Sequence, residues 1–287
     1  MSKYLKKFST HTEYETYVED RQNLVLPNVS YCEDDRDVHY NPYVKPFFCK
    51  LTLNDGSVVE IEGSGQLTSS MTKDYKTTCV SAEIGELCTS VGEETFGAWG
   101  QGWNNLKSIV IGKNVTSGLD NMGNAFMTNN LTSITVDPEN TVYDSRDNCN
   151  GIIETATNTL TVGCQNTVIP NSVRTIGSYA FSHCQGLVDC VVPEGVTKIL
   201  EEAFNDCSSL KKLTFPSTLS QINSYQYYPS TMDSLTILAT TPPTVLDASS
   251  TDVIRVNCVA YVPANSVDAY QRKYGWMFIN IQPIPTT

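Results

Sequence analysis

Three histidines, His11, His39 and His183, could act as general bases or metal ligands near neutral pH. None stands in a pattern that pairs it with a nucleophile, so the sequence predicts no nucleophilic catalysis and no enzyme activity. His183 has Asp206 as its counterpart in the next copy of an internal repeat. Because this position accepts either residue type, we expect His183 to lie on the outer surface.

Two acidic clusters could bind a hard cation, because carboxylate oxygens suit Ca²⁺. Their members are Glu33, Asp34, Asp35 and Asp37 in the first, and Asp137, Glu139, Asp144 and Asp147 in the second. Neither cluster has the spacing of a calcium loop. A cation site and a plain turn are both open readings, and we favour turns closed by side-chain hydrogen bonds to nearby backbone. We expect no cofactor.

Ten cysteines give the chain its third kind of reactive group. No C-x-x-C pair is present, so a zinc site has no support. The even number permits disulfides. However, Cys184 and Cys207 hold equivalent positions in successive copies of the repeat, and the N-terminus has no secretion signal. Both features favour buried free thiols.

Charge and hydropathy exclude several partner classes. The net charge is -12 and no run of Lys and Arg is present, which argues against nucleic acid and against an anionic membrane surface. No stretch approaches the ~20 apolar residues of a membrane span. The first residues, MSKYLKKFSTHTEYETYVED, lack the apolar core of a secretory signal. The sequence thus predicts a cytosolic protein, one released inside a virus particle, or a chain trimmed of its signal.

An internal repeat organises the second half of the chain. AFSHCQGL at 180–187 returns as AFNDCSSL at 203–210, and Pro and Ile recur with the same period of 23. The repeated positions are Pro170, Pro193 and Pro216, and Ile176, Ile199 and Ile222. A fixed period of this length is typical of a solenoid.

A second pattern, Leu-x-x-apolar, predicts one short strand per coil. It occurs at Leu106/Ile109, Leu131/Ile134, Leu187/Cys190, Leu210/Leu213 and Leu235/Leu238. In the first four copies another apolar residue follows two places later, so both apolar residues face inward. Stacked coils would form one parallel sheet, with Phe181 above Phe204 in the interior.

The segment VRTIGSYAFSHCQGLVDCVVPEGVTKILEEAFNDCSSLKKLTFP resembles the BspA-type leucine-rich repeat, a 23-residue class common in bacterial surface proteins. YDSRDNCNGIIETATNTLTVGCQNTVIP resembles the hairpin-like insert that often precedes such repeats. The similarity extends over roughly Phe47 to Ile284. It implies a solenoid with a binding role and no catalytic residues.

The fold class expected is therefore a β-rich leucine-rich-repeat solenoid with short helical and 3-10 segments. We expect a small α+β module at residues 1–45, the solenoid at 46–240 with an irregular insert at about 137–168, and a strand–helix cap at 241–287 in which Trp276 covers the last coil. The module begins with a capping box, Thr10 to Glu13, and its first 43 residues are similar to N-terminal segments of structural proteins of gut Bacteroidales phages.

Candidate binding residues lie between the inward residues of the strands, where they would form one ladder on the open sheet face. They are Lys107, Thr132, Thr135, Asp189, Lys211, Lys212 and Thr214. Aromatic side chains at two rims could add anchors for protein or sugar. They are Trp99, Trp103, Tyr225, Tyr227 and Tyr228. The alternative is that these loops pack on their own coils.

The hypothesis that follows is a virion-associated phage surface or fibre protein, assembled in the bacterial cytoplasm. Its N-terminal module would bind other virion proteins or self-associate, and its solenoid would bind a host surface protein or glycan. Candidate attachment residues in the module are Tyr14, Tyr17, Tyr31, His39 and Tyr40. The alternative is an adhesin on the bacterial cell surface.

Overall fold

The computed structural model describes residues 46–97, 103–119, 126, 130–223, 232–246, 256–274 and 278–286, together with the backbone of three short strands nearer the N-terminus. The chain divides into two compact units, Met1–Phe47 and Phe48–Thr287.

The first unit contains a three-stranded sheet. Its strands are β1 (Lys7–Phe8), β2 (Val29–Cys32) and β3 (Val38–Tyr40). β2 pairs antiparallel with β3 and parallel with β1. The segments NLVLPNVSYC and DVHYNP contain β2 and β3. The helix expected after Thr10 and the acidic turn at 33–37 lie outside the described residues.

A five-stranded sheet begins the second unit. Its strands are β4 (Cys49–Leu53), β5 (Val58–Ile61), β7 (Cys79–Ile84), β9 (Ser108–Ile111) and β10 (Ser133–Val136), in the order β10-β9-β7-β4-β5. β4 and β5 form a hairpin that turns at Asp55-Gly56, where Gly56 has a φ of 84°. β7, β9 and β10 are parallel, so this half of the chain already coils.

The other side of these first coils has its own short pairing. β6 (Gly65–Leu67) runs parallel to β8 (Cys88–Val91), and the helical turn α1 (Ser69–Thr72) follows β6. Ser90 continues the contact to Ser117 on the next coil. The described coils are therefore hydrogen bonded along two sides, whereas the sequence predicted a sheet along one.

The insert forms an antiparallel hairpin. Its strands are β11 (Tyr143–Asp144), β12 (Gly151–Glu154) and β13 (Thr159–Gly163). The segment NTLTVG contains β13. β13 then pairs parallel with the first strand of the regular repeat, so the hairpin starts the sheet that the repeats extend.

The regular coils carry two parallel sheets. The first, in the order β15-β17-β19-β21-β22, consists of β15 (Asp189–Val191), β17 (Lys212–Phe215), β19 (Ser234–Ile237), β21 (Val256–Val262) and β22 (Phe278–Pro283). The second continues from the hairpin through β14 (Thr175–Ile176), β16 (Lys198–Ile199), β18 (Gln221–Asn223) and β20 (Thr244–Leu246). The predicted β-solenoid is confirmed.

Phenylalanines stack between coils as the repeat predicted. The rings of Phe181 and Phe204 are 5.2 Å apart and within 4° of parallel. The backbone beside them is also joined, because Phe181 N–H donates to Ala203 O at 2.8 Å and His183 N–H donates to Asn205 O at 2.9 Å. Each repeat thus rests on the next through ring packing and main-chain hydrogen bonds.

One strand register differs from the sequence prediction. Leu213 pairs with Leu235, and Phe215 pairs with Ile237, so the spacing of this copy is 22. Met232, which is 6% exposed, therefore takes the leucine position, and Ile237 rather than Leu238 faces the core. The pattern search missed Met232 because it required leucine.

The last coil is closed by a strand and a helix. After β21 and a 3-10 turn (Ala264–Ser266), α2 (Val267–Tyr274) buries Tyr270 and packs Val267 against the core. The hydroxyl of Tyr270 donates to Ala239 O at 2.8 Å, and that of Tyr274 donates to Pro243 O. This matches the expected strand–helix ending, while Trp276 lies outside the described residues.

Candidate binding surfaces

The outward side chains of the first sheet of regular coils form what we term the C-terminal face. Its residues are Asp189, Val191, Lys212, Thr214, Ser234, Thr236, Val259, Tyr261, Asn280 and Gln282. They run in two rows across the coils, since Asp189 is in register with Lys212 and Ser234, and Val191 with Thr214 and Thr236. The intervening residues, such as Cys190 and Leu213, are buried.

The corresponding N-terminal face belongs to β7, β9 and β10. Its residues are Ser81, Glu83, Ser108, Val110, Ser133 and Thr135, which alternate with buried Ala82, Ile109 and Ile134. Ser108 Oγ donates to Ser81 Oγ at 2.7 Å. Just before the strands, the backbone N–H and the hydroxyl of Thr132 both donate to Lys107 O, at 2.8 and 2.9 Å.

The predicted single ladder is wrong in one respect. Among the described strands β10 ends one sheet and β15 begins another, with the insert between them in the chain. Lys107, Thr132 and Thr135 therefore belong to the N-terminal face and its border, and Asp189, Lys212 and Thr214 to the C-terminal face. Lys211 precedes β17, where its backbone N–H donates to Val188 O at 2.7 Å.

Trp103 is not an exposed anchor. It is 4% exposed and meets Phe96 edge-on at 5.2 Å, because the coil turns its indole into the core. Trp99, Tyr225, Tyr227, Tyr228, Tyr14 and Tyr17 lie outside the described residues. Tyr31 lies in β2 and His39 and Tyr40 in β3, where the structure describes the backbone alone. For these residues the site assignment stays a prediction.

His183 lies in the interior, contrary to the expectation. Its side chain is 10% exposed, and Nδ1 lies 2.9 Å from Oδ2 of Asp206 on the next coil. Nε2 is buried without a hydrogen-bond partner, as is the hydroxyl of the preceding residue, Ser182. The repeat position accepts His and Asp because the two contact each other, with the ring inside and the carboxylate at the surface.

The acidic residues of the insert make turns and ion pairs. Glu139 N–H donates to Asp137 Oδ1 at 2.8 Å, and Asp144 accepts from the guanidinium of Arg146. Lys113 lies 3.3 Å from both Glu86 and Glu139, and these two carboxylates raise its pKa. No group of three or more His, Cys, Asp or Glu suited to a metal was found in the described part of the chain.

The nine cysteines whose side chains the structure describes are free and buried. Burial raises the pKa of Cys149, Cys79 and Cys258 to about 11, and of Cys190 to about 12. A thiol held protonated inside the core is a poor nucleophile and a poor metal ligand. These residues therefore serve as small apolar filling, as the repeat phase of Cys184 and Cys207 predicted.

The sequence prediction missed the outward residues of the strands that follow β17, and it missed Val168, which precedes β15. Val168 precedes Val191 by one full period of the repeat and is 73% exposed. Extending the repeat period by one unit would have found it. Ser234 and Thr236 were missed because the fifth strand was read three residues out of place.

Comparison with known protein families finds a match in the second half of the chain. Residues 153–243 match the family described as BspA type leucine rich repeat region, in six copies. This segment is therefore similar to the BspA-type leucine-rich repeat. The match begins within β12 and extends through β13 and the regular coils to Pro243. No curated protein matches the chain.

Two solved structures are similar to the chain. A leucine-rich repeat protein from Eubacterium ventriosum is 22% identical over 66% of this chain, with a TM-score of 0.45. A leucine rich cell surface protein from Faecalibacterium prausnitzii is 20% identical over 69% of this chain, with a TM-score of 0.44. The match covers 52% of each of those chains, so this chain spans about half their length.

No helix in the described part of the chain has the length and apolar character needed to cross a bilayer.

Proposed function

We propose that this protein is a non-enzymatic binding protein whose solenoid presents its outward strand faces to partners. One observation supports this above others: the strands of the N-terminal and C-terminal faces bury every second residue and expose a mostly polar row between them. Solenoids use such faces as extended docking surfaces. The burial of His183 and of the described thiols also supports the proposal, because buried groups of this kind are poorly placed to act on a substrate.

The N-terminal face is the candidate ligand surface for a host protein or glycan. Its hydroxyl row, Ser81, Ser108 and Ser133, offers donors and acceptors in register, with Glu83 and Thr135 exposed beside it. Thr135→Arg should weaken binding to host cells about tenfold, which corresponds to about 1.4 kcal/mol. Thr244→Arg, an exposed strand threonine of another sheet, is the control and should leave binding unchanged. Equal binding by both variants would exclude this face.

Residues 1–45 are proposed to attach the solenoid to a phage particle, the solenoid to extend over 46–240, and 241–287 to cap it. Support comes from the N-terminal resemblance to phage structural proteins and from the separate contact unit at Met1–Phe47. The test is deletion of residues 1–45 followed by particle assembly, with thermal unfolding to verify that the solenoid still folds. Incorporation of the shortened chain at the normal level would refute attachment through this module.

The second candidate is an adhesin of the bacterial cell surface. The match of residues 153–243 to the BspA-type repeat favours it, because that class is common in bacterial surface proteins. Fractionation separates the two: a virion protein should be enriched in purified particles, and an adhesin in the cell-surface fraction of uninfected cells.

A further inference from the structure

Three valines leave an apolar area where the C-terminal face begins. Val168, Val188 and Val191 are 73%, 50% and 70% exposed. Val168 and Val191 hold the same repeat position on successive coils, and on the next two coils that position is Thr214 and Thr236. Solvated sheet faces normally carry polar residues at such positions, and clustered exposed apolar side chains indicate a contact surface.

A pair of opposite charges lies beside these valines. Asp189 and Lys212 are both exposed and stand in direct register on the parallel strands β15 and β17. No ion pair joins them in the described structure, although neighbouring strands are only ~4.8 Å apart. Each charge is thus free to meet a partner's charge across the face.

The geometry points to a second copy of this chain as the partner of the C-terminal face. A two-fold axis lying in the interface, parallel to the strands and midway between β15 and β17, puts β15 of each copy opposite β17 of the other. Because Asp189 and Lys212 are in register, each Asp189 then faces the other copy's Lys212. The same operation sets Val191 against Thr214 and covers its exposed methyl groups.

Self-complementarity is what distinguishes a second copy from an unrelated partner. A two-fold contact requires one patch to carry both members of each interaction, as Asp189 and Lys212 do here. The patch is small. β15 and β17 share three residues in register, a stretch ~10 Å long on strands ~4.8 Å apart, so its area is well below the ~800 Å² per partner of a stable complex. The association is therefore weak in solution and grows where copies are tethered together.

Charge reversal provides the test, with the full-length chain and analytical ultracentrifugation over a concentration series. The wild type should show a concentration-dependent dimer. Asp189→Lys and Lys212→Asp should each abolish it, because like charges then face each other. An equimolar mixture of the two single variants should restore a dimer, because both cross-pairs are again opposite. Val191→Asp should also abolish it.

Lys198→Asp is the matched control, since it reverses an exposed strand lysine of the second sheet and should leave the dimer unchanged. A wild type that stays monomeric at every soluble concentration overturns the inference. So does a dimer that persists in both charge variants, which would assign association to another part of the chain, such as residues 1–45. This contact goes beyond the proposed function, and its readout is independent of any ligand.

Discussion

His183 Nδ1 and Asp206 Oδ2 lie 2.9 Å apart, although the two residues occupy one and the same repeat position on successive coils. The ring is 10% exposed and the carboxylate 59%. Both residues have a positive φ, 59° and 54°, which L-amino acids other than Asn, Asp and His rarely adopt. The same backbone turn therefore occurs on both coils, and a contact between two different side chains, His183 and Asp206, joins the two turns.

Asp206→Ala should destabilise the fold by about 1–3 kcal/mol, because it leaves the buried His183 without its partner. Asp206→Asn keeps an acceptor oxygen and tolerates the positive φ, so it should lose much less. The free energy of unfolding in urea compares the two. Equal losses would mean that the hydrogen bond contributes nothing measurable.

Phe204→Ala should cost about 3–5 kcal/mol, since the ring is fully buried between Phe181 and Phe215 and its removal leaves a cavity. Phe204→Leu refills part of that space and should cost less. The exposed Val191→Ala should stay within about 0.5 kcal/mol of wild type. Thermal unfolding ranks the three, and a Phe204→Ala protein as stable as Val191→Ala would contradict the stacked column.

Asn140 should be among the least replaceable polar residues. Its amide donates to Gly112 O and Val115 O at 2.9 Å each, and its Oδ1 accepts from the N–H groups of Val142 and Tyr143. Asn140→Ala leaves these buried groups unpaired and should cost at least about 3 kcal/mol.

Two further variants isolate the role of the Asn140 amide. Asn140→Asp keeps the two acceptor bonds but directs a carboxylate at two carbonyl oxygens, so we expect it to be no better than alanine. Asn130→Ala, which removes one exposed bond to Asn104 O, should cost under about 1 kcal/mol. Denaturant midpoints of the three variants decide whether the four bonds act as described.

Gly118 and Gly56 offer a matched pair, because both have a φ of 84°. A Cβ on Gly118 would lie 1.8 Å from Val91 O, whereas one on Gly56 meets nothing within 4 Å. Both alanine variants carry the same backbone strain of about 1–2 kcal/mol. Gly118→Ala should lose substantially more stability, and equal loss would show that the coils can separate at no cost.

Alkaline pH should destabilise the protein through its thiols. Cys149 has its pKa raised by burial from about 9 to about 11, so the folded state keeps a proton that the unfolded state releases. This contribution is complete below pH 9 and is lost as the pH rises towards 11, by up to about 1.4 kcal/mol per pH unit for each such thiol. Cys149→Ala should reduce the slope of unfolding free energy against pH in that window, and an unchanged slope would argue against it.

The sequence predicted the stacking and the inward residues correctly where the same type of side chain recurs at the repeat period. The 23-residue spacing placed Phe181 over Phe204, and the Leu-x-x-apolar pattern identified the inward residues Leu213 and Ile109, because a coil can bury only what its neighbour also buries. The pattern gave the wrong strand register where the residue type at one repeat position changes. Met232 replaces leucine, so the fifth strand was read three residues late.

Burial of individual polar residues was harder to predict. Exposure of His183 was inferred from its alternation with Asp206, but that alternation reflects a contact between coils. Asn140 lies among ordinary turn residues, and two of its four bonds depend on carbonyls of the preceding coil, which no local pattern reveals. Trp103 looked like an anchor because tryptophan is frequent at binding rims, whereas the loop folds its ring onto Phe96.

The hairpin of β12 and β13 supplies side chains to both hydrophobic cores of the second unit. Ile152 and Val162 belong to the one that precedes it, and Ile153 and Leu160 to the one that follows. In repeat proteins, each repeat usually contacts and stabilises only its nearest neighbours. Here the adjacent residues Ile152 and Ile153 pack into two different cores, so unfolding of either half should expose apolar side chains that pack against the other. We therefore expect the insertion, which interrupts the repeat, to couple the unfolding of the two halves.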